Sequence, residues 1–113
     1  MSNNDSFTVE IFEENEKKCP FDNWLGKLDK ATAARIEARI SRFRNGNFGD
    51  HKKIEGAAGI WEARFFFGSG YRLYFSKEKS RVVLLLVGGD KSTQNKDIRL
   101  AEKFLKLWRT ENV

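Results

Sequence analysis

Cysteine and histidine each occur once in the chain, at Cys19 and His51. A lone thiol excludes an internal disulfide, and with no C-x-x-C pair and a single imidazole the common metal-binding spacings are missing. No apolar run approaches the roughly 20 residues that a membrane-spanning helix needs, and the opening MSNNDSF lacks the apolar core of a secretory signal. These absences predict a cytoplasmic protein with no membrane partner. The phosphate-loop spacing G-x-x-x-x-G-K-[ST] is absent as well, so GGDKST, the nearest approach to it, gives only weak support to a nucleotide site.

What is present is aromatic bulk and positive charge. Ten Phe and three Trp in 113 residues, at 40% hydrophobic content, supply enough apolar area for one domain with a real core. We expect a loose polar tail over residues 1–6 and a single domain over 7–113. Twenty-one Lys and Arg against sixteen Asp and Glu give a net charge of +5. That balance favours anionic partners, nucleic acid or an acidic protein, without separating the two.

The stretch Trp61–Lys91 organises the rest. Apolar and polar residues alternate from Trp61 to Phe75 around Gly68, Ser69 and Gly70, which predicts a β-hairpin with a glycine turn. A three-residue loop would set Phe67 opposite Tyr71, Phe65 opposite Leu73, Arg64 opposite Tyr74 and Phe66 opposite Arg72. One face then carries Trp61, Ala63, Phe65, Phe67, Tyr71, Leu73 and Phe75 and calls for a helical cover. The other carries Glu62, Arg64, Phe66, Arg72 and Tyr74, guanidinium groups interleaved with rings. Val82 to Val87 is apolar on both parities, as in an interior strand, and Gly88-Gly89-Asp90 then brings Lys91 out where the backbone bends freely.

Around this stretch, Phe7, Val9 and Ile11 alternate as a short strand, and Glu13–Lys18 reads as a charged linker. Pro20 and Asp22 start a helix carrying Phe21, Trp24, Leu25 and Leu28; Asp29 caps a second with Ala33, Ile36, Ile40 and Phe43 on one stripe. GNFG (Gly46–Gly49) stops that helix, and HKKIE follows as a further short strand. Ser92 and Thr93 precede a last helix with Ile98, Ala101, Leu105 and Trp108 at helical spacing, expected beside the helical hairpin.

Two readings of the Arg64, Arg72 and Lys91 face stand at this point. One is a solvated polar face, which antiparallel sheets commonly present to water. The other is a surface for phosphates and unpaired bases, because guanidinium forks onto phosphate and aromatic rings stack on bases; an acidic peptide would suit it too. His51 reads as a surface or capping residue and Cys19 as a small apolar side chain with no partner histidine. Nothing fixes Glu55, Glu62 and Asp90 into a nuclease metal site.

The segments NGNFGDHK, WEARFFFGSGYRLYF and VVLLLVGGDKSTQNKDI, in this order and spacing, resemble the RelE/ParE superfamily, and within it the HigB-like addiction module killer proteins. The resemblance spans Phe7 to Trp108. It implies an α+β fold of the RelE type, with a helical hairpin and a carboxy-terminal helix packed on a twisted antiparallel sheet of four to five strands. It implies a toxin of a toxin–antitoxin pair that cleaves messenger RNA on the ribosome. It implies a reaction without metal or other cofactor, in which the ribose 2′-hydroxyl attacks the adjacent phosphate and side chains stabilise the phosphorane.

Position by position, the resemblance makes Arg64, Arg72 and Lys91 the catalytic residues, with Phe66, Tyr74, Lys52 and Lys53 as RNA-binding candidates. It further implies a cognate antitoxin, usually a small helix-turn-helix protein, through which alone operator DNA would be reached. The chain departs from RelE in carrying Glu62 where RelE has a further lysine, and in having no evident counterpart near Asp97 to the tyrosine that stacks on the base. A ParE-like gyrase inhibitor or an inactive binding protein of the same fold is the rival reading.

Overall fold

Alternation in the second half of the chain becomes one five-stranded sheet in the computed structural model, which describes residues 6–15 and 18–112. The expected tail over 1–6 therefore lies outside the described residues except for Ser6, as do Glu16 and Lys17 of the charged linker. In chain order the elements are β1 (Thr8–Ile11), α1 (Pro20–Gly26), α2 (Lys30–Phe43), β2 (His51–Lys53), β3 (Trp61–Arg64), β4 (Arg72–Glu78), β5 (Val82–Gly89), a 3-10 turn (Lys91–Thr93) and α3 (Gln94–Glu111).

The strand order is β1-β5-β4-β3-β2. β5 lies inside the sheet, as its apolar run on both parities requires. β2 to β5 pair antiparallel, whereas β1 joins β5 in parallel, so the sheet is mixed. The α1–α2 hairpin supplies the long connection that brings the chain back after β1, and side-chain alternation carries no information about strand direction.

Each helix starts and stops for a local reason. Pro20 opens α1, where a missing backbone N–H costs nothing. Asp29 caps α2 by accepting from the Thr32 N–H at 2.9 Å. Past Phe43 the chain turns over and Gly46 takes a positive φ of 80°. Asp90 caps the turn that leads into α3, accepting from the Ser92 N–H at 2.9 Å, and Thr93 stands at the N-cap of α3 itself without a side-chain cap hydrogen bond.

The sheet has a core on each face. On one, Ile36, Ile40 and Phe43 of α2 and Phe21 of α1 pack on Ala63, Phe65, Leu73, Phe75, Val83 and Leu85. That is the apolar face expected of the hairpin. On the other, Ala101, Phe104 and Leu105 of α3 pack on Ile60, Tyr74, Leu84 and Leu86. α3 was expected beside the helical hairpin and instead covers the opposite face of the sheet. The physical reason is area: Leu84, Leu86 and Tyr74 present a second apolar face that would otherwise meet water.

Two consequences correct the hairpin. Its register is Trp61 with Phe75, Glu62 with Tyr74, Ala63 with Leu73 and Arg64 with Arg72, two residues away from the tight-turn pairing. The shift preserves the face of every paired side chain but opens a wider loop beyond Phe65, whose N–H donates to the Tyr71 carbonyl at 3.0 Å. Phe66 therefore does not face Arg72, nor Arg64 Tyr74. Tyr74, expected on an open RNA-binding face, is fully buried under α3.

Candidate active site

Arg64 ends β3 and Arg72 begins β4, so the corrected register sets the two arginines directly opposite each other. Like charges opposed across a ladder repel, and each is matched to a carboxylate of its own. Arg64 Nε donates to Asp50 Oδ2 at 3.0 Å and its Nη2 to Oδ1 at 3.4 Å, at the surface. Arg72 Nε lies 3.4 Å from Oε2 of Glu62, whose side chain is 0% exposed. Angular alignment there falls short of a hydrogen bond, and Nε and Glu62 Oε1 are buried without one. The Glu62–Arg72 contact is therefore an ion pair held by charge. Arg72 Nη1 donates to the Gly70 carbonyl at 2.9 Å, and Nη2 has no partner among the described residues.

The β3–β4 hairpin and the start of the 3-10 turn after β5 border a pocket of about 290 Å³ whose lining includes Arg64, Phe66, Gly70, Tyr71, Arg72 and Lys91. All three residues expected to be catalytic border it. Gly70, with a φ of 75°, brings bare backbone between them; a side-chain carbon there would sit 3.5 Å from Arg72 Nη1 and 3.6 Å from Lys91 Cβ. Lys91 is exposed and has no ion-pair partner among the described residues. Phe66 stands at the rim with 79% of its surface exposed, Arg64 Cζ lying 5.6 Å from its ring centre.

The other expected positions fall elsewhere. Lys52 and Lys53 are exposed on the edge strand β2 and do not line the pocket. Tyr74 is placed in the interior, where its hydroxyl donates to Glu62 Oε2 at 2.9 Å; burial and the adjacent Glu62 carboxylate push that phenol far above its ordinary range. No base can stack on a ring so enclosed. His51 packs its ring near Phe48 and Trp61, with Nδ1 2.9 Å from the Gly49 carbonyl oxygen. Cys19 Sγ points to the Phe12 carbonyl at 3.5 Å and to Asp22 Oδ2 at 3.3 Å, and burial raises its pKa. Glu55, Glu62 and Asp90 do not gather: no group of three or more metal-binding side chains occurs among the described residues.

Several supporting residues had escaped sequence reasoning. Arg39 of α2 donates to the carbonyls of Arg64, Phe48 and Asp50 and covers the Phe65 ring, Cζ 4.5 Å from its centre. It ties together the two segments that carry Arg64 and its carboxylate; burial lowers its pKa. Gln94, at the start of α3, donates to Glu62 Oε2 at 2.7 Å. A wider depression of about 860 Å³ along α3, lined by Leu105, Leu107 and Arg109 among others, shares no residue with the pocket.

The architecture is that of the RelE fold. The free-state structure of E. coli toxin RelE, in a mutant with two arginines changed to alanine, superposes with a TM-score of 0.59 over 83% of this chain and 96% of that one, at 13% identity. The chain belongs to the phage-derived Gp49-like protein family (DUF891), which matches residues 23–106. An uncharacterized protein of Haemophilus influenzae is 51% identical to it over 83 residues, 73% of this chain and 82% of that protein.

Proposed function

We propose that the protein is the toxin of a toxin–antitoxin pair and acts as a ribosome-dependent endoribonuclease on messenger RNA, in the manner of HigB-like members of the RelE superfamily. The observation that carries this reading is the convergence of Arg64, Arg72 and Lys91 on one pocket beneath an exposed aromatic ring. The RelE fold and the Gp49-like family support it.

In this reading a message is drawn across the pocket with one phosphate between the arginines. The ribose 2′-oxygen attacks the adjacent phosphorus and passes its proton to a solvent water, and the bond to the 5′-oxygen of the next nucleotide breaks. Arg64 and Arg72 bind the phosphorane oxygens, whose negative charge grows in the transition state. Arginine stays charged at every accessible pH and cannot be the base. The Lys91 ammonium gives a proton to the departing 5′-oxygen. Glu62 keeps the Arg72 fork rigid from behind, and Phe66 stacks on a base beside the cut.

A cognate antitoxin, a helix-turn-helix protein, would neutralise the toxin by covering the basic pocket and would alone contact operator DNA. The setting is the cytoplasm, and no cofactor is called on.

Induction in a bacterial host with mapping of new message 5′ ends tests this reading. Wild type produces ends in register with codons of translated messages, and Arg64→Ala abolishes them. Growth arrest with intact messages would replace this reading with ParE-like gyrase inhibition, and no arrest would identify an inactive binding protein.

A further inference from the structure

A second basic surface borders the pocket. Arg35, Arg39 and Arg42 follow one another at intervals of four and three residues and so share one face of α2. With Phe65, Phe66 and Phe67 they line a groove of about 310 Å³, and the same three phenylalanines also line the Arg64–Arg72–Lys91 pocket. Phe66 stands between the two cavities. Arg39 is spent on backbone carbonyls, but Arg35 and Arg42 are exposed and have no carboxylate partner among the described residues. Arg35 is held in place by the ring of Phe67, with Cζ 3.8 Å from its centre.

A stripe of like charges left unneutralised beside a large exposed ring disfavours itself unless a polyanion neutralises it. Phosphate positions on both sides of a stacking platform repeat the alternation of a single-stranded nucleic acid, in which backbone charge and unpaired base recur with every nucleotide. An acidic peptide would satisfy the arginines but gives no reason for the ring.

We propose that Arg35 and Arg42 form a second RNA-backbone site, so that a single strand leaving the pocket crosses Phe66 and continues along α2. The inference rests on the reading that the pocket itself takes RNA.

The test is fluorescence anisotropy with labelled, uncleavable 2′-O-methyl oligonucleotides, a dinucleotide and a hexanucleotide, on wild type and on Arg35→Gln/Arg42→Gln. Thermal melts confirm that both proteins are folded. The double variant is expected to bind the hexanucleotide at least tenfold more weakly and the dinucleotide as before. Its plot of log affinity against log salt for the hexanucleotide is expected to flatten by about 1.4, two contacts at about 0.7 each. Unchanged hexanucleotide affinity and salt slope, with wild-type binding intact, would overturn the second site and leave the pocket standing. Equal loss for both lengths would also overturn it. Failure of wild type to bind either length would overturn this inference, while the pocket reading stands or falls separately with the mapping of message 5′ ends.

Discussion

Glu62 Oε2 sits 3.4 Å from Nε of Arg72 and accepts hydrogen bonds from the Tyr74 hydroxyl and from Gln94, all within a carboxylate fully removed from solvent. The pocket therefore contains two arginines of different character. Arg72 is anchored from behind by a buried charge, with 14% of its side chain exposed, while Arg64 meets Asp50 at 38% exposure.

That difference separates folding from function. Arg72→Ala leaves a buried carboxylate uncompensated and is expected to cost about 3–5 kcal/mol. Arg64→Ala removes a solvent-exposed pair and is expected to cost about 0–1 kcal/mol. Denaturant titration of the two variants measures this directly, and equal losses would contradict the asymmetry. Arg64→Ala is accordingly the cleaner probe of chemistry.

The end of β5 is pinched between helices. A side-chain carbon at Gly88 would lie 2.0 Å from the Trp24 ring of α1, and one at Gly89 would lie 1.8 Å from Asp97 Oδ2 of α3. Gly88→Ala and Gly89→Ala should each lose about 1–3 kcal/mol through overpacking. Gly26→Ala, where nothing lies within 4 Å, serves as the control and should show no such loss. Thermal unfolding of the three variants is the measurement, and indistinguishable midpoints would show that the pinch carries no energy.

Asp97 and Asp90 pull stability in opposite directions with pH. Burial raises the Asp97 carboxyl above its ordinary 3.8 even though Thr93 Oγ1 donates to it at 2.5 Å. The folded state then binds the extra proton, so this group adds stability as pH falls through its folded pKa towards 3.8. Hydrogen bonds from Ser92 lower Asp90 below 3.8, and its contribution is lost as pH falls through that lower value. Asp97→Asn should stabilise the protein at neutral pH and flatten the part of the stability profile that lies between 3.8 and the raised pKa of the folded state. Urea titrations from neutral pH down to 3.8 check it, and a profile unchanged by the substitution would refute it.

Phe66 should matter to RNA and not to folding. The residue is 79% exposed, so Phe66→Ala is expected to change stability by no more than about 0.5 kcal/mol. Loss of a stacked base should cost about 1–3 kcal/mol of RNA binding, and Phe66→Trp should restore it. Chemical denaturation paired with cleavage assays separates the two quantities; undiminished cleavage by Phe66→Ala would remove the stacking role.

The sequence made the strands legible because each is a short alternating or wholly apolar run, and the helices because their stripes and starts are local. It also brought Arg64, Arg72 and Lys91 together, two from the hairpin and one from the glycine bend after β5. What it could not supply was long-range. Two-residue periodicity is unchanged by a two-residue slip, so Arg64 was set against Tyr74 when it faces Arg72. The same alternation left Glu62 and Tyr74 on a solvated face, because only the docking of α3 makes that face an interior. The direction of β1 and the reach of Arg39 to three carbonyls depend on tertiary placement and have no local signature. The arginine spacing at 35, 39 and 42 was visible, but its meaning depends on Phe66 and Phe67 lying against it.

The most direct test of the pocket as a site of RNA cleavage is mass spectrometry of the fragment ends produced by the purified protein on a translated message. Attack by the 2′-oxygen leaves a 2′,3′-cyclic phosphate on the upstream fragment and a 5′-hydroxyl on the downstream one, and Arg64→Ala, folded as wild type, yields neither. A 5′-phosphate on the downstream fragment, or cleavage that persists in Arg64→Ala, would contradict the assignment of the chemistry to this pocket.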